Sequence, residues 1–224
     1  MKIAILLPTI YRPMGLYKAI SSLWLHTDIN LIDVCIACEI DDDNPYTYAQ
    51  KFVDIAVCEK RLQGPGYAWN IALQYLEKHN KKYDAYYLAS DDIEFCPGWL
   101  DETLKVLQDK LDGSGLVATN EGTDKVKRAG FATQYLMTRD FIRDHNGGIA
   151  AYPYPTDFSD VESSMRAQKV NKFAYAEKAV VRHLWRENND EAYIRSDKLR
   201  KDAKTIFEDR KSKGFPDDFE RIIK

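Results

Sequence analysis

Apolar residues in the first half of the chain alternate between two spacings. Residues 2–7, 32–37, 54–58 and 83–89 form short, nearly continuous apolar runs, the pattern of strands buried on both faces. Between them, Leu16, Ala19, Ile20, Leu23 and Trp24 recur at the spacing of an amphipathic helix over 16–25. Trp99, Leu100, Leu104, Leu107 and Leu111 do the same over 98–111. A further helix is predicted over 67–76, opened by Gly64-Pro65-Gly66. Strands alternating with helices predict an α/β fold whose mostly parallel central sheet is flanked by helices.

The second half is less regular. Strands are predicted at 117–119 and 132–137, a short helix at 138–145 ended by Gly147-Gly148, and another helix at 160–169. From Asn188 onward charged residues dominate, with isolated apolar positions at Ile194, Leu199, Ile206 and Phe207. This pattern predicts one or two surface helices in a small charged helical C-terminal tail.

Composition narrows the classes. A chain of 224 residues, 45% hydrophobic and 30% charged, suits one globular domain with a small appendage. A net charge of -3 gives no general attraction for nucleic acid or an anionic membrane, so function is expected in a localised site. The start, MKIAILLPTI, has one lysine before its apolar run and passes at once to Pro8, which reads as a core strand rather than a signal peptide or a spanning helix. No transmembrane anchor and a cytoplasmic location are expected. Cys35 and Cys38 form a CxxC inside a predicted strand, where residues three apart point to opposite faces; buried reduced thiols fit better than a zinc or redox pair.

Ligands of such sheets sit beyond the carboxyl ends of the strands. The loops there carry Pro8, Thr9 and Arg12 after the first strand, Glu39-Ile40-Asp41-Asp42-Asp43 after the second, residues 61–66 after the third and Asp91-Asp92 after the fourth. The last pair lies in YYLASDDIEF. Adjacent carboxylates repel each other and resist burial, so they must be solvated, protonated or neutralised by a cation. Hard oxygen donors at a strand end suit Mg²⁺ or Mn²⁺, although Asp-Asp also serves as an ordinary loop or helix cap. Asp41-Asp42-Asp43 offers acceptors to a base or ribose, or forms a solvated turn with Asn44-Pro45. Gly64-Pro65-Gly66 permits close backbone approach and offers a helix N-terminus to negative charge, but it is neither a dinucleotide fingerprint nor a Walker loop.

The order ILLPTIYRP, CEIDDD, RLQGPGYAWNIAL, YYLASDDIEFCPGWL, SDVESSMR, VVRHLW resembles that of the family 2 glycosyltransferases with the GT-A (Rossmann-like) fold, over roughly residues 1–186. The resemblance implies a glycosyltransferase domain at 1–186, with a nucleotide-sugar-binding half at 1–115 and an acceptor and catalytic half at 116–186, followed by a charged helical extension at 187–224. It implies that Pro8, Thr9 and Arg12 line the nucleotide pocket, that Asp41 or Asp42 contacts the uracil or ribose, and that Gly66 and Asn70 flank the diphosphate. Asp91-Asp92 stand at the D-x-D type metal motif, with Ala89 where the commonest form has an aspartate. Asp92 would then ligate Mn²⁺ or Mg²⁺ directly, and Asp91 would neighbour it through water or the ribose.

By the same resemblance Asp160 takes the place of the catalytic base, with Ser159 replacing the usual glutamate. Asp157 is a rival, and Ser159 or Asp160 also suits a helix N-cap. His183, after Ala179-Val180-Val181, is either structural or reaches the metal or diphosphate; Trp185 and Arg186 would close over the phosphates. The implied activity is metal-dependent, inverting transfer of a hexose-like sugar from a nucleotide-sugar, a UDP-sugar first, to an acceptor hydroxyl. Two other classes use similar residues: a nucleotidyltransferase, for which LLPTIYRPMG is a poor phosphate loop, and a non-catalytic nucleotide or carbohydrate-binding module, motivated by Ala89. A glycan, a protein, a small molecule or a modified nucleic acid would each serve as acceptor. Tyr135, Tyr152, Tyr154 and Phe158 offer stacking faces for it or belong to the core.

Overall fold

The computed structural model describes residues 1–43, 45, 53–59, 63–123, 130–146, 149–150, 153–184, 191–217 and 222–223. Its central strand, β1 (Ile3–Pro8), sends Ile3, Ile5 and Leu7 to one face and Ala4 and Leu6 to the other, and all five are fully buried. β1 pairs in parallel with β2 (Ile32–Glu39) and β4 (Ala85–Leu88), and β2 pairs in parallel with β3 (Val53–Cys58). Two helices, α1 (Pro13–His26) and α3 (Trp99–Leu111), bury Leu16, Ile20, Leu23, Trp99 and Leu107 on the first face. On the opposite face α2 (Gly64–Lys78) buries Trp69, Leu73 and Leu76. Each of these large side chains contributes about 1.5–3 kcal/mol by leaving water.

The expectation of a mostly parallel sheet is corrected. With β5 (Ile93–Phe95), β6 (Leu116–Asn120), β7 (Tyr135–Thr138) and β8 (Phe173–His183), the strand order is β3-β2-β1-β4-β7-β6-β8-β5. β7 runs antiparallel to both β4 and β6, and β5 antiparallel to β8, so the sheet is mixed. β6 and β7 are neighbours that run in opposite directions, whereas parallel neighbours need a crossover connection. β8 does return through a crossover helix, α5 (Ser159–Lys169), and lies parallel to β6. The apolar run at 179–181 is the end of this longer strand; the register shift after Thr119 and exposed Glu177 and Lys178 interrupt its alternation.

Residues 138–145 form α4 (Arg139–Phe141), which continues as a π turn over Ile142–Asn146; Gly147-Gly148 lie outside the described residues. Tyr135 and Tyr154 are fully buried and present no stacking face to solvent, while Tyr152 lies outside the described residues. No helix among the described residues is long and apolar enough to cross a membrane.

Among its described residues the charged C-terminal segment contains one helix, α6 (Glu191–Ser212), and it is packed rather than peripheral. Phe207 stacks on Phe158 with ring centroids 4.8 Å apart, and Ala203, Phe207 and Arg210 are buried. Arg210 donates to fully buried Glu162 of α5 from Nε at 2.9 Å and Nη2 at 3.0 Å, and Glu162 also accepts from Arg166 and Tyr154. Removing one partner of such a pair leaves an undercompensated buried charge. Arg210→Ala is therefore expected to lower unfolding free energy by about 3 kcal/mol, read as a shifted urea midpoint. A midpoint unchanged from wild type would show that α6 does not stabilise the domain.

Candidate active site

The carboxyl ends of β1, β2 and β4 meet α5 and α6 around one cavity of about 480 Å³. Pro8, Thr9, Arg12, Asp91, Asp92, Asp160 and His183, all selected from the sequence, line it together. α1 starts with Pro13 in its first turn, where the missing N–H has no partner to lose, and Arg12 stands just before it. Gly15 lets this turn approach: a Cβ there would lie 2.5 Å from the Asp91 carbonyl oxygen. Gly64 does the same for α2, with φ +78 and a Cβ position 2.3 Å from the Tyr154 carbonyl oxygen.

The adjacent carboxylates are divided between two sets of donors. Asp91 accepts from Thr9 Oγ1 at 2.8 Å and from Arg12 Nη1 at 3.0 Å. Burial pushes its carboxyl up to about 6; Arg12 opposes the rise, and neighbouring Asp92 adds to it. Asp92 accepts from Ser90 Oγ at 2.6 Å and from the hydroxyl of Tyr193, on α6, at 2.7 Å. His183 Nε2 lies 3.3 Å from its Oδ1 and Arg12 Nη1 3.6 Å from its Oδ2. Burial works against the Asp92 anion, yet the hydrogen bonds from His183, Ser90 and Tyr193 hold its carboxyl well below the usual carboxylate range. For His183, burial disfavours the cation, but Asp92 and Glu121 outweigh it and push the imidazole up to about 9. Glu121 is fully buried behind it, with Oε2 3.7 Å from Nδ1.

Asp160 sits in the first turn of α5. Phe158, in the left-handed region at φ 83, precedes the helix without a side-chain cap, so neither Ser159 nor Asp160 is the cap that their composition suggested. Asp160 Oδ1 accepts the N–H of its neighbour Val161 at 2.9 Å. Burial pushes its carboxyl up to about 7, with Asp157 adding and Val161 N–H opposing. Asp157, the rival, also lines the cavity but receives Arg200 Nε at 2.6 Å.

Other selected residues lie elsewhere. Asp42 is buried and accepts Tyr11 N–H at 2.7 Å, which fixes the loop after β1, and Asp41 is exposed; the carboxylate lining the cavity at the end of β2 is Glu39. Asn70 donates to the carbonyls of Gly66 and Ala150, both at 2.7 Å, and accepts Ile149 N–H, so it ties α2 to the chain at 149–150. Ala89 is buried in the core and its carbonyl accepts Trp69 Nε1–H at 2.9 Å. Trp185 and Arg186 lie outside the described residues. Glu121 and Tyr193 were missed. The strand-end rule applied to the run 116–120 would have found Glu121; nothing local marks Tyr193.

Among the described residues no group of three or more His, Cys, Asp or Glu side chains converges as a complete metal cage. The residue types nevertheless fit a cation that keeps water and substrate oxygens. Asp92 Oδ1 and His183 Nε2 lie 3.3 Å apart and share a proton here; a divalent ion displacing that proton would find one oxygen and one nitrogen ligand.

No protein-family model matches the sequence, and no curated protein matches it. Solved structures do, at the level of fold: the chain has the mixed α/β fold of glycosyltransferases. It is similar to S. aureus TarS 1–349 in complex with UDP-GlcNAc, at 13% identity and a TM-score of 0.65 over 84% of this chain and 60% of that one. It is also similar to the mannosyltransferase PcManGT from Pyrobaculum calidifontis in complex with GDP-Man and Mn²⁺, at 13% identity and a TM-score of 0.64 over 86% of this chain and 59% of that one. The chain spans about three fifths of the length of these two structures.

Proposed function

We propose that this chain is a metal-dependent, inverting glycosyltransferase of the GT-A type that moves a sugar from a nucleotide-sugar, a UDP-sugar first, to an acceptor hydroxyl. One observation carries the reading: a single cavity at the strand ends holds the Asp91-Asp92 pair with its cationic partners and, on a second wall, Asp160 with a raised pKa. Residues 1–186 supply the donor and catalytic surfaces in this reading, and α6 adds a wall to them. The sugar nucleotides bound by TarS and PcManGT support the donor class.

Each residue then has a task. Pro8, Thr9 and Arg12 border the donor on the β1 side, and Arg12 offsets the charge of Asp91. Asp92 and His183 would hold Mn²⁺ or Mg²⁺. When bound, such an ion supplies Lewis-acid neutralisation of the leaving diphosphate. Glu121 orients the His183 ring from behind. Asp160 takes the proton of the attacking hydroxyl; a carboxylate near 7 is a stronger base than a solvated one and is still ionised at slightly alkaline pH. Attack from the Asp160 side as the diphosphate leaves on the other inverts the anomeric carbon.

The test is a thermal-shift screen of UDP-, GDP-, CMP- and dTDP-sugars with and without Mn²⁺. Ligand at about 100 times Kd adds roughly 2.7 kcal/mol to native-state stability, so a true donor raises the midpoint by several degrees. A metal-dependent rise with a UDP-sugar, followed by release of UDP, is the expected result. Pyrophosphate release from a nucleoside triphosphate would establish nucleotidyl transfer instead, and no rise with any donor would refute the reading.

A further inference from the structure

We infer that Tyr193 is a positioning residue: it selects which oxygen of Asp92 faces the cation site and keeps Arg12 on Asp91. The inference rests on the cavity being a cation-dependent sugar-nucleotide site. Tyr193 comes from α6, outside the strand-end loops that provide the other groups. Its hydroxyl donates to Asp92 Oδ2 at 2.7 Å, whereas Oδ1 accepts from Ser90 Oγ at 2.6 Å and is the oxygen 3.3 Å from His183 Nε2. Its ring carries the Arg12 guanidinium, 4.6 Å from the centroid. Arg12 Nη1 is thereby 3.0 Å from Asp91 Oδ1 but 3.6 Å from Asp92 Oδ2.

The two contacts work in one direction. A guanidinium beside a carboxylate favours a bidentate fork, and Asp92 would be a ready partner for Arg12. The Tyr193 hydroxyl occupies the oxygen that such a fork needs, and the aromatic face holds the guanidinium plane over the ring. With Ser90 on Oδ1, the Tyr193 contact on Oδ2 keeps Asp92 in one rotamer, with Oδ1 toward His183. Partners that fix a ligating side chain in this way matter to metal affinity nearly as much as the ligands. The ring's own place is set remotely, because Phe207 and Arg210 seat the far end of α6 against α5.

Tyr193→Phe removes the hydroxyl and keeps the ring, and Tyr193→Ala removes both. Mn²⁺ binding to the full chain is measured in the presence of UDP from the electron paramagnetic resonance signal of free Mn²⁺. Tyr193→Phe is expected to weaken Mn²⁺ binding roughly tenfold, with UDP affinity unchanged and only the small drop in thermal midpoint that one lost hydrogen bond brings, and Tyr193→Ala to weaken it further. In turnover, the Mn²⁺ concentration for half-maximal rate should rise by the same factor while the acceptor KM stays constant. Equal Mn²⁺ affinity in wild type and Tyr193→Phe overturns the inference and leaves the proposed function standing. A lowered midpoint with proportionate loss of UDP, acceptor and Mn²⁺ binding assigns Tyr193 a merely structural role and overturns it as well. Failure of the wild-type protein to bind Mn²⁺ with UDP removes the cation site itself and the inference with it.

Discussion

Asp92→Asn is expected to reduce sugar transfer by about 10³-fold or more, because the anion that holds a Lewis acid against the leaving diphosphate is gone. The substitution is nearly isosteric, so the cavity keeps its shape. What changes is charge: Arg12 and His183 lose the carboxylate that both of them face, leaving Asp91 to Arg12 and Glu121 to His183. The Asp92 carboxyl is held below its ordinary value, so its contribution to stability is present above the unfolded value near 3.8 and is lost as pH falls through the folded one. At neutral pH the asparagine variant should thus have a lower thermal midpoint as well as a lost activity. The decisive measurement is UDP release across a Mn²⁺ titration: turnover equal to wild type at any Mn²⁺ concentration would remove Asp92 from the site.

Asp160→Asn should reduce transfer by about 10²-fold or more while donor binding survives, since an amide accepts no proton. The predicted stability effect has the opposite sign. The folded protein retains the Asp160 proton up to about 7, whereas the unfolded chain releases it near 3.8. Across that window the native state binds more protons, so stability from this group falls as pH rises and is lowest above about 7. The asparagine variant escapes this cost, and its midpoint at pH 8 should equal or exceed that of wild type. The wild-type rate should fall on the acid side of about pH 7, as Asp160 becomes protonated among its charged neighbours Asp157 and His183. An acid limb that survives in Asp160→Asn, or transfer undiminished by the substitution, would move the base to Asp157.

The pair of variants separates two kinds of partly buried carboxylate. Asp92 is surrounded by donors and prefers to be charged; Asp160 has few and prefers its proton. The Asp92 preference comes largely from distant parts of the chain, since Tyr193 and His183 lie far from it in sequence.

Local pattern alone placed β1 to β4 and α1 to α3 close to where they lie, because burial on one or two faces writes a period into neighbouring residues, but it did not find the three-residue β5. It also placed Thr9, Arg12, Asp91 and Asp92 at strand ends, which is why these residues could be nominated together. It did not set the direction of β7 or the length of β8, since strand direction depends on the connection that the chain takes and the β8 alternation is broken by the register shift. Nor did it separate Asp42, spent on the Tyr11 amide, from Glu39, which faces the cavity. The sequence by itself determined which elements form and which chemical groups they carry to the strand ends. The tertiary structure alone decided that α6 folds back to put Tyr193 on Asp92 and that Asp160 shares the cavity, because contacts between remote segments depend on the packing of whole elements and leave no local period to read.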